Sequence, residues 1–184
     1  MAAARRRWAA ELLHLWFHLL RPADWFRTDP RVDAELRRRF GREWAMLRRR
    51  PAGEFLGDPL TARAAVLLFD QVPRNIHRGS ARAFASDGLA RAITRGILRR
   101  GWNRGLSLAE RQFVALPLMH SEAIADQRAS LRLFTRLGRR HGLPFARSHY
   151  RMIARFGRFP HRNAALGRRS TAAERRAVEE GFVW

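Results

Sequence analysis

The sequence predicts an all-α fold, a helical array of about eight helices in a single domain over residues 1–184, and three observations carry that prediction. Apolar residues recur at spacings of three and four, and no segment sustains the period-two alternation of a strand. Ala, Leu and Arg dominate while Val and Thr are sparse, a bias toward side chains that lose little freedom in a helix. Helix-start signals punctuate the chain as Asp-Pro pairs and Ser/Thr-x-x-Glu boxes. A chain of 184 residues buries roughly 70 % of the surface its unfolded form exposes, enough for one core. With no cysteine, disulfides, thiolate metal sites and thiol nucleophiles are excluded and the fold rests on packing.

The first helix is read over Trp8 to Leu20, with Trp8, Leu12, Leu15, Trp16 and Leu19 on one face. Arg5-Arg6-Arg7 ahead of it resembles the start of a leader peptide. Glu11, His14 and His18 interrupt the apolar run, however, and no small-residue cleavage site follows before Arg21-Pro22. Asp29-Pro30 supplies a cap and a first-turn proline for the second helix, which runs to about Arg50 with Val32, Leu36, Phe40, Glu43 or Trp44, and Leu47 along one face. Asp58-Pro59 repeats the signal for a third helix, Leu60 to Val72, whose dense run Ala64 to Phe69 marks it as buried. Pro73 is expected to end it, since proline lacks the N–H and disfavours helical geometry just before itself.

Ser80 is expected to cap a fourth helix from Ala81 to about Arg100, closed by Gly101. Ser107-Leu108-Ala109-Glu110 is a capping box for the fifth, which Pro117 should break or kink. Ser121 is read as the cap of the sixth, continuing through Leu131, Phe134 and Leu137 to the Gly138–Gly142 region. Pro144 begins the seventh, which ends at Phe159-Pro160, and Thr171-Ala172-Ala173-Glu174 boxes the last. No self-similarity at a period of about 34 or 40 declares a helical repeat. No stretch approaches the roughly 20 apolar residues of a membrane span, so the protein reads as soluble and cytoplasmic.

All 37 basic residues are arginine, against 16 acidic ones, for a net charge of +21. Guanidinium groups suit phosphate and nucleic acid, but a surface selected for charge has no reason to exclude lysine. The arginines are also scattered, with triplets only at Arg5 to Arg7, Arg37 to Arg39 and Arg48 to Arg50. Nucleic acid is therefore not the favoured partner.

Two similar corners are the most specific feature: Val72-Pro73-Arg74-Asn75 and Phe159-Pro160-His161-Arg162-Asn163, each placing arginine and asparagine just past a proline. Polar residues also fall on apolar faces. His120, Ile124, Gln127, Leu131 and Phe134 share a stripe, as do Phe145, His149, Met152 or Ile153, and Phe156, while Asp70 and Gln71 end a buried run. Burying such groups without partners costs a few kcal/mol each, so they must meet one another, water or nearby arginines. The expected binding set is Asp70, Arg74, Asn75, Arg78, His120, Glu122, Gln127, His149, Arg155, Arg158, His161, Arg162 and Asn163. Several arginines in one polar cavity favour an anionic small molecule or an acidic peptide. The same residues also allow an enzyme, a hydrolase or lyase on an anionic substrate. His120 or His149 would then be general base, Asp70 or Glu122 would orient it, and Arg74 with Arg158 would stabilise negative charge. The structural alternative is simple: Asp70 and Arg74, four apart, form an ion pair at a helix end. No metal site is expected, because His120 and Glu122 are two apart and no HExxH or ExxH pair exists. No cofactor is expected either, for Gly-rich phosphate loops are missing.

The segments Phe69-Asp70-Gln71-Val72-Pro73-Arg74-Asn75-Ile76-His77-Arg78-Gly79-Ser80, Leu116-Pro117-Leu118-Met119-His120-Ser121-Glu122 and Arg155-Phe156-Gly157-Arg158-Phe159-Pro160-His161-Arg162-Asn163, followed by Leu166-Gly167-Arg168-Arg169-Ser170-Thr171, resemble the uncharacterised bacterial family DUF924. The resemblance runs in order from Trp25-Phe26 to Gly181-Phe182. It implies an all-helical fold similar to the tetratricopeptide-repeat-like superfamily, without readable repeats, and it implies no activity. His77 stands where the family pattern has tyrosine.

Overall fold

A computed structural model describes residues 7–181, and among them every regular element is helical. Arg5, Arg6 and Phe182, used in the sequence reading, lie outside the described residues. No helix is long and apolar enough to cross a membrane. The chain divides into two compact units, one of residues 1–78 with 82–105 and one of residues 79–81 with 106–184.

In the first unit, α1 (Arg7–His14) runs into a π turn, Leu15–Leu19. Leu12, Leu15 and Trp16 are buried as their spacing predicts, but Leu19 is on the surface at 55 % exposure. The wider turn adds a residue per revolution, so the apolar face slips round the axis at that point. Helix α2 (Pro30–Leu47) begins as expected, with the Asp29 carboxylate accepting the Arg31 N–H at 2.8 Å. It buries Leu36, Phe40 and Trp44 and stops three residues short of the predicted Arg50. Helix α3 (Pro59–Val66) begins on Asp58, which accepts the Thr61 N–H at 2.9 Å.

Pro73 does not end this helix. The path continues through a second π turn, Leu67–Gln71, into α4 (Val72–Ile76). The Val72 N–H reaches back to the Leu67 carbonyl, five residues away, so the pattern changes immediately before the proline. Pro73 thus falls at the start of a fresh α segment, where its missing donor is not required. Ser80 caps no long helix either: Ala81–Phe84 form a short 3-10 turn and α5 spans Asp87–Arg99. Ser86 stands at its start but spends its hydroxyl elsewhere, donating to the Phe69 carbonyl at 2.7 Å and accepting the Trp44 indole N–H at 3.0 Å. Gly101 closes α5 as expected. It adopts φ +68° while its N–H meets the Leu98 carbonyl and the Trp102 N–H meets that of Ile97, the paired bonds of a glycine-terminated helix. Within this unit α1 packs on α2 and α3, α2 on α4, and α3 on α5.

In the second unit, α6 (Leu108–Met119) starts with the predicted reciprocal box. The Ser107 hydroxyl accepts the Glu110 N–H at 3.3 Å and the Glu110 carboxylate accepts the Ser107 N–H at 2.9 Å. The helix runs through Pro117 to Met119. Every residue from Gln112 to Met119 is buried, so packing outweighs one missing hydrogen bond. Helix α7 (Ile124–Leu137) follows. Ser121 does not cap it directly: its hydroxyl accepts the Ala123 N–H at 3.1 Å and donates to Asp126 at 2.7 Å, shaping the loop instead. Helix α8 (Leu143–Phe156) ends earlier than Phe159, because Gly157 takes φ +69° and turns the chain away. Phe145 and Ile124 point outward, at 62 % and 36 % exposure, whereas His149, Met152 and Ile153 are buried as predicted. The last helix, α9 (Ala172–Glu179), carries the second capping box at Thr171 and Glu174. Helices α6, α7 and α8 pack mutually, and α9 packs on the 160–162 turn. Met152, Ile153, Phe159 and Ala177 form an apolar cluster flanked by Phe156.

Candidate functional site

Each Pro-Arg-Asn corner is built from a different unit, and each has its own chemistry. In the first unit, the π turn places Asp70 in full burial at the foot of α4. Arg74, one turn on, forks both guanidinium nitrogens onto Asp87 at 2.8 and 2.9 Å and donates to the Asp70 carbonyl at 2.7 Å, with the Asp70 carboxylate 3.3 Å away. The two carboxylates hold its guanidinium above its ordinary pKa against the opposing effect of burial. Gln71 donates to Asp70 at 2.6 Å, and the Asn75 amide donates to the Gln71 carbonyl at 3.0 Å. Arg78 grips Asp33 at 2.7 and 2.9 Å and donates to the Asn75 side-chain oxygen at 2.7 Å. The predicted Asp70–Arg74 pair therefore exists, enlarged by Asp87. Arg74 and Arg78 are committed to carboxylates that tie α4 to α5 and α2.

In the second unit, Glu122 lies in the loop before α7 and takes the Phe159 N–H at 2.8 Å and the forked guanidinium of Arg168 at 2.7 and 2.9 Å. Those donors keep its carboxyl below the ordinary range although burial opposes them. Arg158 is likewise committed. It forks onto Glu174 at 2.6 and 3.0 Å and reaches the Arg169 carbonyl at 2.9 Å. Hydrogen bonding from Arg158 is the main reason the Glu174 carboxyl falls to about 2. Arg155 is exposed and lies over the Phe156 ring at 4.9 Å. Gln127 is fully buried and closes the end of α6, its NH2 donating at 2.6 Å to each of the Met119 and Ser121 carbonyls. Asn163, also buried, donates to the Ser170 hydroxyl at 3.0 Å.

What gathers around Phe159 is different in kind. The Arg162 guanidinium sits 4.5 Å from the ring centre, the His149 ring 5.3 Å and the His161 ring 5.6 Å, with His120 6.2 Å from His149. His149 is buried and Arg162 nearly so; His120 and His161 are half-buried. The His149 Nδ1 lies 2.9 Å from the Phe145 carbonyl. A carbonyl only accepts, so Nδ1 carries the proton and the lone pair resides on Nε2. Burial first, then His120, and further Arg162 and His161, push the His149 imidazole down to about 2. His149 is thus a neutral group inside a positive neighbourhood. Among the described residues no three His, Asp or Glu side chains gather in a way that could hold a metal ion.

Four of the thirteen sequence-selected residues, His120, His149, His161 and Arg162, are thus brought together within one unit. The reading missed Asp33, Asp87, Arg168 and Glu174, the partners that occupy the other arginines and Glu122. No local pattern marks those partners, apart from the capping box that already singles out Glu174.

Residues 12–181 match the model of a family described as bacterial protein of unknown function (DUF924). A solved structure of a protein of unknown function from Agrobacterium tumefaciens is similar to the chain at 37 % identity with a TM-score of 0.89, covering 98 % of this chain and 100 % of that one. No curated protein matches the chain.

Proposed function

The chain belongs to the DUF924 family of bacterial proteins, and from that premise we propose that it is a binding module for an anionic small molecule or acidic peptide, held in the second unit by His120, His149, His161 and Arg162. The observation that supports this reading is the grouping of three imidazoles and one guanidinium around Phe159 while the neighbouring arginines Arg158 and Arg168 are matched to carboxylates. An anion entering such a cluster relieves repulsion among like charges and accepts charge-assisted hydrogen bonds. Phe159 supplies an apolar floor on which such bonds strengthen.

The hydrolase or lyase reading has weaker support. Glu122 spends both oxygens on Arg168 and the Phe159 N–H, and His149 is oriented by a backbone carbonyl where a general base would gain from a carboxylate.

Thermal unfolding against a panel of carboxylates, phosphates and acidic peptides tests the proposal. A ligand at one hundred times its dissociation constant adds about 2.7 kcal/mol. The gain should persist at raised salt and vanish in His120→Asn and His161→Asn variants that retain the native circular dichroism. Absence of any shift across the panel, or a shift unchanged in those variants, overturns it.

A further inference from the structure

A second group of cations lies in the first unit, away from the Pro-Arg-Asn corner. Trp44 is buried to 1 % exposure, its indole N–H fixed by Ser86, so its ring is a rigid wall. Against that wall stand the His77 ring at 4.7 Å, the Arg48 guanidinium at 5.1 Å and the Arg82 guanidinium at 5.5 Å. Arg37 approaches from α2, donating to the Ile76 carbonyl next to His77. We propose that Arg37, Arg48, Arg82 and His77, arranged around Trp44, form a binding site for a phosphate-class oxyanion.

Three features support it. Arg37 and Arg48 have no carboxylate partner, whereas Arg38 and Arg39 on the same helix are both matched to Glu35. The charged form of His77 is disfavoured by burial and by Arg82, Arg37 and Arg48, so all three guanidiniums bear on one imidazole. The His77 Nε2 is buried with no hydrogen-bond partner among the described residues. Gathering cations without a counter-charge is costly, and a tetrahedral dianion offers each guanidinium an oxygen to fork onto. A carboxylate monoanion neutralises less and has too few oxygens for three donors. The aromatic wall lowers the local polarity that would otherwise screen the pairing.

The test is a titration of the intact protein with inorganic phosphate, followed through the His77 ring nitrogens by NMR, with chloride at matched ionic strength as reference. A saturable rise in the His77 pKa is expected, with affinity reduced about tenfold or more in the Arg37→Gln/Arg48→Gln double variant, a loss equivalent to about 1.4 kcal/mol. Should the double variant fail to fold, the exposed Arg82→Gln provides the same comparison. A response to both inorganic phosphate and glycerol phosphate assigns the phosphoryl group as the recognised element; a response to the inorganic ion alone assigns the free dianion. The His77 and His120 resonances are read separately, so failure here is distinguishable from failure at the second-unit cluster. A His77 pKa that follows ionic strength alone, or an unchanged affinity in the variants, leaves an adventitious ion only and overturns the proposal.

Discussion

His149 shows how burial and charge act on one side chain. Its folded-state pKa lies near 2, below the ordinary 6.5, so the unfolded chain binds a proton that the folded chain refuses. Stability from this group is complete above about pH 6.5 and is lost as pH falls from there toward 2, at no more than about 1.4 kcal/mol per pH unit. His77, depressed in the same direction, adds to the slope. Urea unfolding between about pH 7 and pH 5 should therefore show falling stability, with a shallower fall in His149→Phe; equal slopes in the two proteins would remove the assignment. Glu174 acts lower on the scale. With its carboxyl near 2, its contribution is present above the ordinary 4.5 and disappears as pH drops toward 2. Glu174→Ala removes the Thr171 box and the Arg158 partner together and should cost about 1–3 kcal/mol in chemical unfolding at neutral pH.

At the scale of elements, Ser86 and Gly96 separate what local sequence signals from what packing imposes. Ser86 occupies a capping position yet serves Trp44 and Phe69. Ser86→Ala should destabilise by about 1–3 kcal/mol by stranding a buried indole N–H and a carbonyl, and calorimetry is the direct check. Gly96 lies in the middle of α5, where alanine ordinarily gains about 1 kcal/mol. Here an added Cβ would stand 2.5 and 2.7 Å from the two methyls of Leu56. Gly96→Ala should therefore lower stability on balance, and pairing it with Leu56→Ala should recover part of the loss. The starts of α2, α3, α6 and α9 were legible because Asp29, Asp58, Ser107 and Thr171 act on residues two or three places ahead. The π turns were not legible, since nothing in Leu67 to Gln71 distinguishes a wider turn from an α turn until Pro73 is seen to sit inside the path. Site residues divided the same way. Periodicity placed His149 and Gln127 inside, but the carboxylates that occupy Arg74, Arg78 and Arg158 lie 13, 45 and 16 residues from them, beyond any local pattern.

For the whole molecule the governing quantity is a net charge of +21 carried by arginine alone. Like-charge repulsion opposes the folded state, and dissolved salt screens it, most of the effect arriving by about 0.15 M where the screening length is near 8 Å. The melting temperature should therefore climb with sodium chloride and then level off; a flat or falling curve would mean that the paired networks outweigh the excess charge. The Glu122 contacts have a consequence in time. This carboxylate is held by a backbone amide 37 residues ahead and a guanidinium 46 residues ahead. During synthesis it leaves the ribosome long before either partner exists, and the Thr171 box is translated only a few residues after Arg168. The second unit therefore reaches its finished form only near the end of translation. A nascent chain halted between the codons for Glu122 and Arg168 carries a solvated carboxylate and an unfastened Phe159 loop, open to proteases until the final stretch is made.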